Sequence, residues 1–122
     1  MSKDADLYRT TLSNANLSGA NLSDAKLYKA DLSSAWLCDA NLIKANLYKA
    51  DLSRAKLIDA KLIDANLRDA NLERTDLSEV LRLNIEQLSE VKTLYKAELD
   101  PELMEQVKDK YPHLLEEPKS EE

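Results

Sequence analysis

Leucine recurs at every fifth position of this chain, from Leu7 to Leu77, through fifteen consecutive cycles without a miss. Alanine stands two residues before each of these leucines, except where Thr10 and Thr75 replace it. Asn or Asp most often separates the two apolar residues, so the repeating unit is A-(D/N)-L-x-x. This period of five restricts the fold more strongly than any other feature of the sequence.

An α-helix does not accommodate the period, although Ala and Leu are good helix formers. Five residues at about 100° each turn a helix by about 500°, so successive leucines would step about 140° around its surface and never form one apolar stripe. In an extended segment, residues two apart point the same way, so Ala and Leu share a face and the next two residues can turn the chain. Each unit is therefore predicted to be one short strand and one corner.

The chain also repeats at twenty residues, because Leu-Tyr-Arg at position 7 returns as Leu-Tyr-Lys at positions 27 and 47. Strands with identical inward residues and no longer turn between them must coil and stack on copies of themselves. Four units then make one square turn, and residues twenty apart lie above one another. Parallel crossovers are almost always right-handed, so we predict a right-handed coil.

The run from position 5 to position 79 resembles the pentapeptide-repeat family, and the chain looks like a small, cyanobacterial-type bacterial member. The resemblance implies an all-β solenoid, a right-handed quadrilateral parallel β-helix of about four coils over residues 1–79. It also implies that the central leucine and the preceding alanine of each unit fill the interior. The predicted core leucines are Leu7, Leu12, Leu17, Leu22, Leu27, Leu32, Leu37, Leu42, Leu47, Leu52, Leu57, Leu62, Leu67, Leu72 and Leu77.

The period breaks after Leu77, because Arg82 occupies the next leucine position. Asn84 is placed to cap a helix that begins at Ile85, and Gln87 completes a capping-box-like pair. This first helix is predicted to replace one side of the square coil.

A second helix is expected to begin at Pro101, with Asp100 at its N-cap, and to stop before Pro112. Residues 80–115 are thus predicted to form short capping α-helices that cover the C-terminal end of the leucine core. The acidic, polar tail at 116–122 is predicted to be disordered.

The segment 94–99 repeats the Leu-Tyr-Lys-Ala-acid-Leu pattern of 27–32 between the two helices. The repeat predicts that the coil returns there, with Leu94 above Leu67 and Leu99 above Leu72.

The sequence contains no combination of residues that predicts catalysis or a cofactor site. His113 has no serine or cysteine nearby in the sequence, and Cys38 is predicted to be a free, unactivated thiol. A column of carboxylates, Asp39, Asp59 and Glu79, could in principle bridge a divalent cation, but no glycine turn or carbonyl pattern completes a coordination shell. We therefore predict no enzymatic activity, no metal and no cofactor.

An outward column of tyrosines, each followed by a cation, is the main candidate interaction surface. It could dock an acidic partner or stack on single-stranded nucleic acid. The simpler interpretation is a structural column that shields the sheet, with Asp31 and Asp51 neutralising the nearby lysines. Trp36 is a further candidate contact residue, although an isolated surface residue is the simpler interpretation. The column comprises Tyr8, Arg9, Tyr28, Lys29, Tyr48 and Lys49, with Arg68, Tyr95 and Lys96 as a possible extension.

These features favour a non-enzymatic structural or protein-interaction module with an unknown protein partner. The resemblance implies an alternative, since the best-understood family members mimic DNA and bind type II topoisomerases such as gyrase. However, residues 1–79 carry a net charge of only −1, which is poor electrostatic imitation of DNA, and the chain's net charge of −6 makes nucleic-acid binding through the tyrosines weak at best. The absence of an apolar run and the single cysteine predict a cytoplasmic protein without a membrane segment.

The N-terminal end of the coil is predicted to lack a cover, because the repeat begins at Ala5. Leu7, Leu12, Leu17 and Leu22 would then be exposed edge-on, together with unpaired backbone groups. Exposed strand edges over an apolar core favour pairing, so a homodimer through the two N-terminal open ends is the expected assembly.

Overall fold

The computed structural model describes residues 3–119, in which the chain stacks on itself every twenty residues. Lys26 forms parallel bridges with Asp6 in one neighbouring coil and Asn46 in the other, and Trp36 does the same with Asn16 and Lys56. Each contact is an isolated bridge rather than part of a longer strand, because five residues per side leave room for little more than one paired residue before the next corner. A side therefore consists of one extended outward residue between two inward ones.

Each corner is a tight turn that closes on the leucine. At the corner after Leu27, the N–H of Ala30 donates to the carbonyl oxygen of Leu27 at 3.0 Å, and Lys29 has a φ of 60°. A positive φ at the third residue is the signature of a type II turn. All corner residues equivalent to Lys29 from position 4 to position 79 share this left-handed backbone, and Gly19 is the only glycine among them.

The Asn or Asp of the repeat has a structural role that follows from these corners. The Asn46 Oδ1 accepts a hydrogen bond from the N–H of Tyr48 at 3.1 Å, and the Asp51 Oδ1 accepts one from the N–H of Ser53 at 2.9 Å. Short Asx side chains satisfy the backbone two residues ahead in this way. The Asn or Asp at the second position of the unit thus stabilises the turn that follows the leucine.

Leucine and alanine fill the coil, as expected for the positions that share a face. The predicted core leucines from Leu17 to Leu77 are buried, and most have no measurable exposure. Leu7 and Leu12 are half-buried, whereas the expected edge-on exposure of Leu17 and Leu22 is wrong. The coil rises by one layer over four sides, so Leu22 lies nearly a layer above Leu7, and the chain near Asp4 runs beneath it, where the Asp4 N–H bonds to the carbonyl of Ser23.

Three short helices follow the coil: α1 at Ile85–Leu88, α2 at Pro101–Lys110, and a 3-10 helix at Pro112–Leu115. The predicted capping box of α1 is confirmed, because Asn84 and Gln87 exchange their hydrogen bonds. Asp100 does occupy the N-cap of α2, but its carboxylate does not cap that helix. It accepts instead from the N–H of Glu79 in the coil, at 3.0 Å.

The coil resumes after α1 in a different register from the one expected. Bridges join Thr93 to Asn71 and Glu98 to Asp76, a spacing of twenty-two residues instead of twenty. Leu94 therefore lies above Leu72, and the predicted placement above Leu67 is wrong. For the same reason Leu99 lies above Leu77, and its predicted placement above Leu72 is wrong.

The 3-10 helix lies against this last segment of coil. The carbonyl oxygen of Leu114 accepts the N–H of Leu94 at 2.8 Å, the bond that a further coil would otherwise provide, and the Leu114 side chain is buried. Residues 116–119 continue without regular secondary structure, and positions 120–122 of the predicted tail, like positions 1 and 2, lie outside the described residues.

Candidate functional site

The tyrosine column is present on one corner of the coil. The rings of Tyr8 and Tyr28 stack with centroids 4.4 Å apart and an angle of 30° between their planes. Arg9 lies over the Tyr8 ring with its Cζ 5.1 Å from the centroid, and the Nζ of Lys49 is 5.4 Å from the centroid of Tyr48. Cations at these distances interact favourably with the ring face. We call this set, Tyr8, Tyr28 and Tyr48 with Arg9, Lys29 and Lys49, the tyrosine column.

The proposed extension of this column is wrong beyond Arg68. The next residue above Arg68 is Glu90, whose carboxylate pairs with the Arg68 guanidinium at 3.3 Å. Tyr95 lies one corner further round, where its carbonyl oxygen accepts the N–H of Arg74 at 2.8 Å. The spacing of twenty-two residues places Tyr95 above Glu73 and Lys96 above Arg74, at that neighbouring corner.

The expected neutralisation of the column's lysines is also wrong. Asp31 directs its Oδ1 to the N–H and hydroxyl of Ser33, at 3.0 and 2.6 Å, and Asp51 makes the same pair of bonds to Ser53. Within residues 3–119, no carboxylate comes within 4.0 Å of the Nζ of Lys29 or Lys49. Asp31 and Asp51 accept hydrogen bonds within their own turns, so Lys29 and Lys49 remain available to a ligand.

Trp36 is 46% exposed and lies between Asn16 and Lys56, on the second side of the coil after the tyrosine column. The Nζ of Lys56, its neighbour in the next coil, is 4.7 Å from the centroid of the ring. This side therefore also pairs an accessible aromatic surface with a cation, although Trp36 lies apart from the tyrosine column.

The residues considered for chemistry do not form a reactive site. Cys38 is half-buried, with its Sγ directed at the carbonyl oxygen of Lys56 at 3.9 Å, and His113 packs edge-on to Tyr111. Within residues 3–119 no three potential metal ligands converge, and this includes the Asp39, Asp59 and Glu79 column. The helices of the same range are too short and too polar to cross a bilayer.

A second set of cations was not recognised from the sequence. Arg54, Arg74 and Lys96 occupy successive levels of the corner next to the tyrosine column, and Tyr95 lies among them. The Arg74 Cζ and the Lys96 Nζ are 5.9 and 5.4 Å from the Tyr95 ring centroid. The spacing of twenty places Arg74 above Arg54. Lys96 lies above Arg74 only because the spacing changes to twenty-two after α1.

Residues 5–42 and 45–81 match the family of pentapeptide repeats, with eight copies of the family's repeat unit. The chain belongs to the pentapeptide-repeat family. Membership implies the right-handed quadrilateral β-helix, which agrees with the bridges at intervals of twenty residues. No curated protein sequence gives a match.

Two solved pentapeptide-repeat structures are similar to this one. Rfr23, a pentapeptide repeat protein from the cyanobacterium Cyanothece 51142, is 38% identical, with a TM-score of 0.61, over 79% of this chain and 60% of Rfr23. QnrB1, a plasmid-mediated fluoroquinolone resistance protein, is 29% identical, with a TM-score of 0.57, over 72% of this chain and 42% of QnrB1. The chain thus spans less than two thirds of either relative.

Proposed function

We propose that this pentapeptide-repeat protein is a non-enzymatic interaction module that binds a protein partner through the tyrosine column. The observation that carries the proposal is the accessible Tyr8–Tyr28 stack, in which Tyr8 is 40% exposed, beside cations that have no carboxylate within 4.0 Å among residues 3–119. Aromatic side chains with adjacent cations are typical of the energetically dominant residues of interfaces. Trp36 offers a second contact, two sides further along the coil.

The coil supports such a surface because its outward residues are held in place by turns and bridges on both sides. We propose four coils whose C-terminal end is capped by α1, α2 and the 3-10 helix, which leaves the sides free for binding. The cytoplasm is the proposed location, since the single cysteine, Cys38, requires no oxidising compartment.

A gyrase-binding DNA mimic is the second candidate, and the similarity to QnrB1, a fluoroquinolone resistance protein, favours it. The charge argues against it, since the repeat segment at 1–79 has a net charge of −1 whereas a DNA mimic needs a continuous acidic surface. Inhibition of gyrase supercoiling by this protein would support the alternative in spite of that charge.

Affinity capture followed by quantitative mass spectrometry tests the main proposal. The Tyr28→Ala/Tyr48→Ala variant is expected to lose a protein that the wild type captures. Ile43→Ala/Ile63→Ala is the matched control, because these half-buried residues occupy the same repeat position at another corner. Equal capture by all three proteins, at similar melting temperatures, would refute a role for the tyrosines.

We also propose that two copies associate through their N-terminal ends. In the upper coils the N–H of the bridged residue donates to the coil below, as Trp36 does to the carbonyl oxygen of Ala15 at 2.9 Å. The N–H groups of Asp6, Thr11 and Asn16, one coil lower, have no acceptor among residues 3–119. Unpaired strand edges of this kind favour pairing with an identical edge.

A further inference from the structure

One side of the coil is bordered by cations on both corners. The first corner contributes Arg9, Lys29 and Lys49, and the second contributes Arg54, Arg74 and Lys96. The bridged residues between them stack from Thr11 through Asp31, Asp51 and Asn71 to Thr93. We call this side the cationic face, defined by Arg9, Lys29, Lys49, Arg54, Arg74 and Lys96.

The carboxylates of the cationic face offset only part of its positive charge. Four carboxylates lie on it, those of Asp31, Asp51, Asp69 and Glu73, so six cations leave an excess of two positive charges on a chain whose net charge is −6. Among residues 3–119, only Arg74 of the six cations has a carboxylate within 4.0 Å, that of Glu73 at 3.9 Å. This side therefore carries a local positive excess on a molecule whose net charge is negative.

The face also contains a recess. A cleft of about 560 Å³ opens where the register changes, and it is lined by Lys49, Ala50, Asp51, Asp69, Asn71 and Lys92. A side chain from a ligand that lies across successive coils can enter there, and it would meet the ammonium group of Lys49 together with the carboxylates of Asp51 and Asp69. The cationic face therefore has a concave recess as well as charged groups.

We infer that the cationic face binds an extended acidic polypeptide segment, one that lies across successive coils with its carboxylates between the two rows of cations. Stacked coils place cations about 4.8 Å apart along each corner, a spacing that an extended chain with frequent Glu or Asp can follow. A nucleic acid is disfavoured, because its continuous phosphate charge would meet the carboxylates that lie between the cations, whereas a polypeptide can space its acidic residues with neutral ones. The inference rests on the proposed function, to which it adds the chemistry of the partner.

Fluorescence anisotropy with a labelled polyglutamate peptide tests this assignment. We expect saturable binding that weakens as salt rises from about 0.05 to 0.3 M. Arg54→Gln/Lys96→Gln is expected to weaken binding by about tenfold, since charge pairs at an interface contribute strongly to affinity. Both residues are exposed, so folding is expected to survive and is checked by melting temperature.

The matched control is Lys44→Gln/Lys61→Gln, which removes the same charge from exposed residues away from the face, and it should bind like the wild type. Absence of saturable binding, or equal weakening by both double variants, would overturn the assignment. So would tighter binding of a single-stranded oligonucleotide than of the peptide. If the assignment fails while capture still depends on Tyr28 and Tyr48, the proposed function stands with a partner of another chemistry.

Discussion

At the level of single residues, the corners determine which side chains this chain tolerates. Lys44 has a φ of 60°, whereas Lys61, also exposed, forms parallel bridges with Asn41 and Leu81 as an extended residue. The left-handed region costs about 1–2 kcal/mol for an ordinary L-residue, and a β-branched side chain is the least suited to it. Asn, Asp and Gly relieve this cost, and they occupy about half of the equivalent corners.

Valine substitutions at these two lysines separate the effect of the backbone from that of the side chain. Lys44→Val is expected to lower the free energy of unfolding by about 1–2 kcal/mol, because valine at a positive φ is strained. Lys61→Val should change it by less than about 0.5 kcal/mol, since valine suits an extended position. Urea unfolding measures both, and equal losses would show that the corner imposes no special strain.

At the level of elements, α1 is stabilised by its contacts with the coil. A helix of four residues is far too short to be stable in isolation. The Gln87 side-chain nitrogen donates to the carbonyl oxygens of Leu62 and Ala65 at 2.8 and 3.1 Å, and Ile85 and Leu88 are buried. The amide thereby supplies backbone hydrogen bonds that a further side of the coil would have made.

Gln87→Ala is expected to lower the free energy of unfolding by about 1–3 kcal/mol, since the Ala65 carbonyl has no other donor among residues 3–119. The capping bond to Asn84 is lost at the same time. Gln106→Ala on the exposed surface of α2 provides the control. Hydrogen exchange should accelerate across α1 in the first variant alone, and an unchanged exchange rate would contradict the role given to the amide.

At the level of the whole molecule, the two ends of the coil differ. At the C-terminal end, where we propose a cap, Leu114 of the 3-10 helix is buried and its carbonyl oxygen accepts the N–H of Leu94. At the other end Leu7 and Leu12 remain half-buried, and the backbone N–H groups of Asp6, Thr11 and Asn16 have no acceptor within the described range 3–119. Association of two N-terminal ends would bury these leucines and provide partners for the backbone.

Light scattering across a range of concentrations tests the dimer. The wild type is expected to form dimers as concentration rises, and Leu12→Lys is expected to remain monomeric because a charge at the joint would be buried without a partner. Leu81→Lys is the control, since Leu81 is exposed at the other end of the coil. A wild type that stays monomeric at the highest concentration would exclude this assembly.

The sequence alone determined the repeating part of the molecule. A period of five excludes a helix and defines the inward residues, and a return at twenty makes a four-sided coil, because both are consequences of local geometry repeated without interruption. The stacking of Tyr8 on Tyr28 and the meeting of Trp36 with Lys56 followed directly from that arithmetic.

Only the tertiary structure decided what happens where the repeat ends. The number of residues that α1 needs to span one side depends on how Ile85 and Leu88 pack, and no local period specifies that number. It proved to be two more than a regular side, so Leu94 lies above Leu72 and Lys96 joins Arg54 and Arg74. The rise of the coil likewise buries Leu22. The place of Lys96 in the second row of the cationic face is thus a product of packing, which sequence periodicity does not encode.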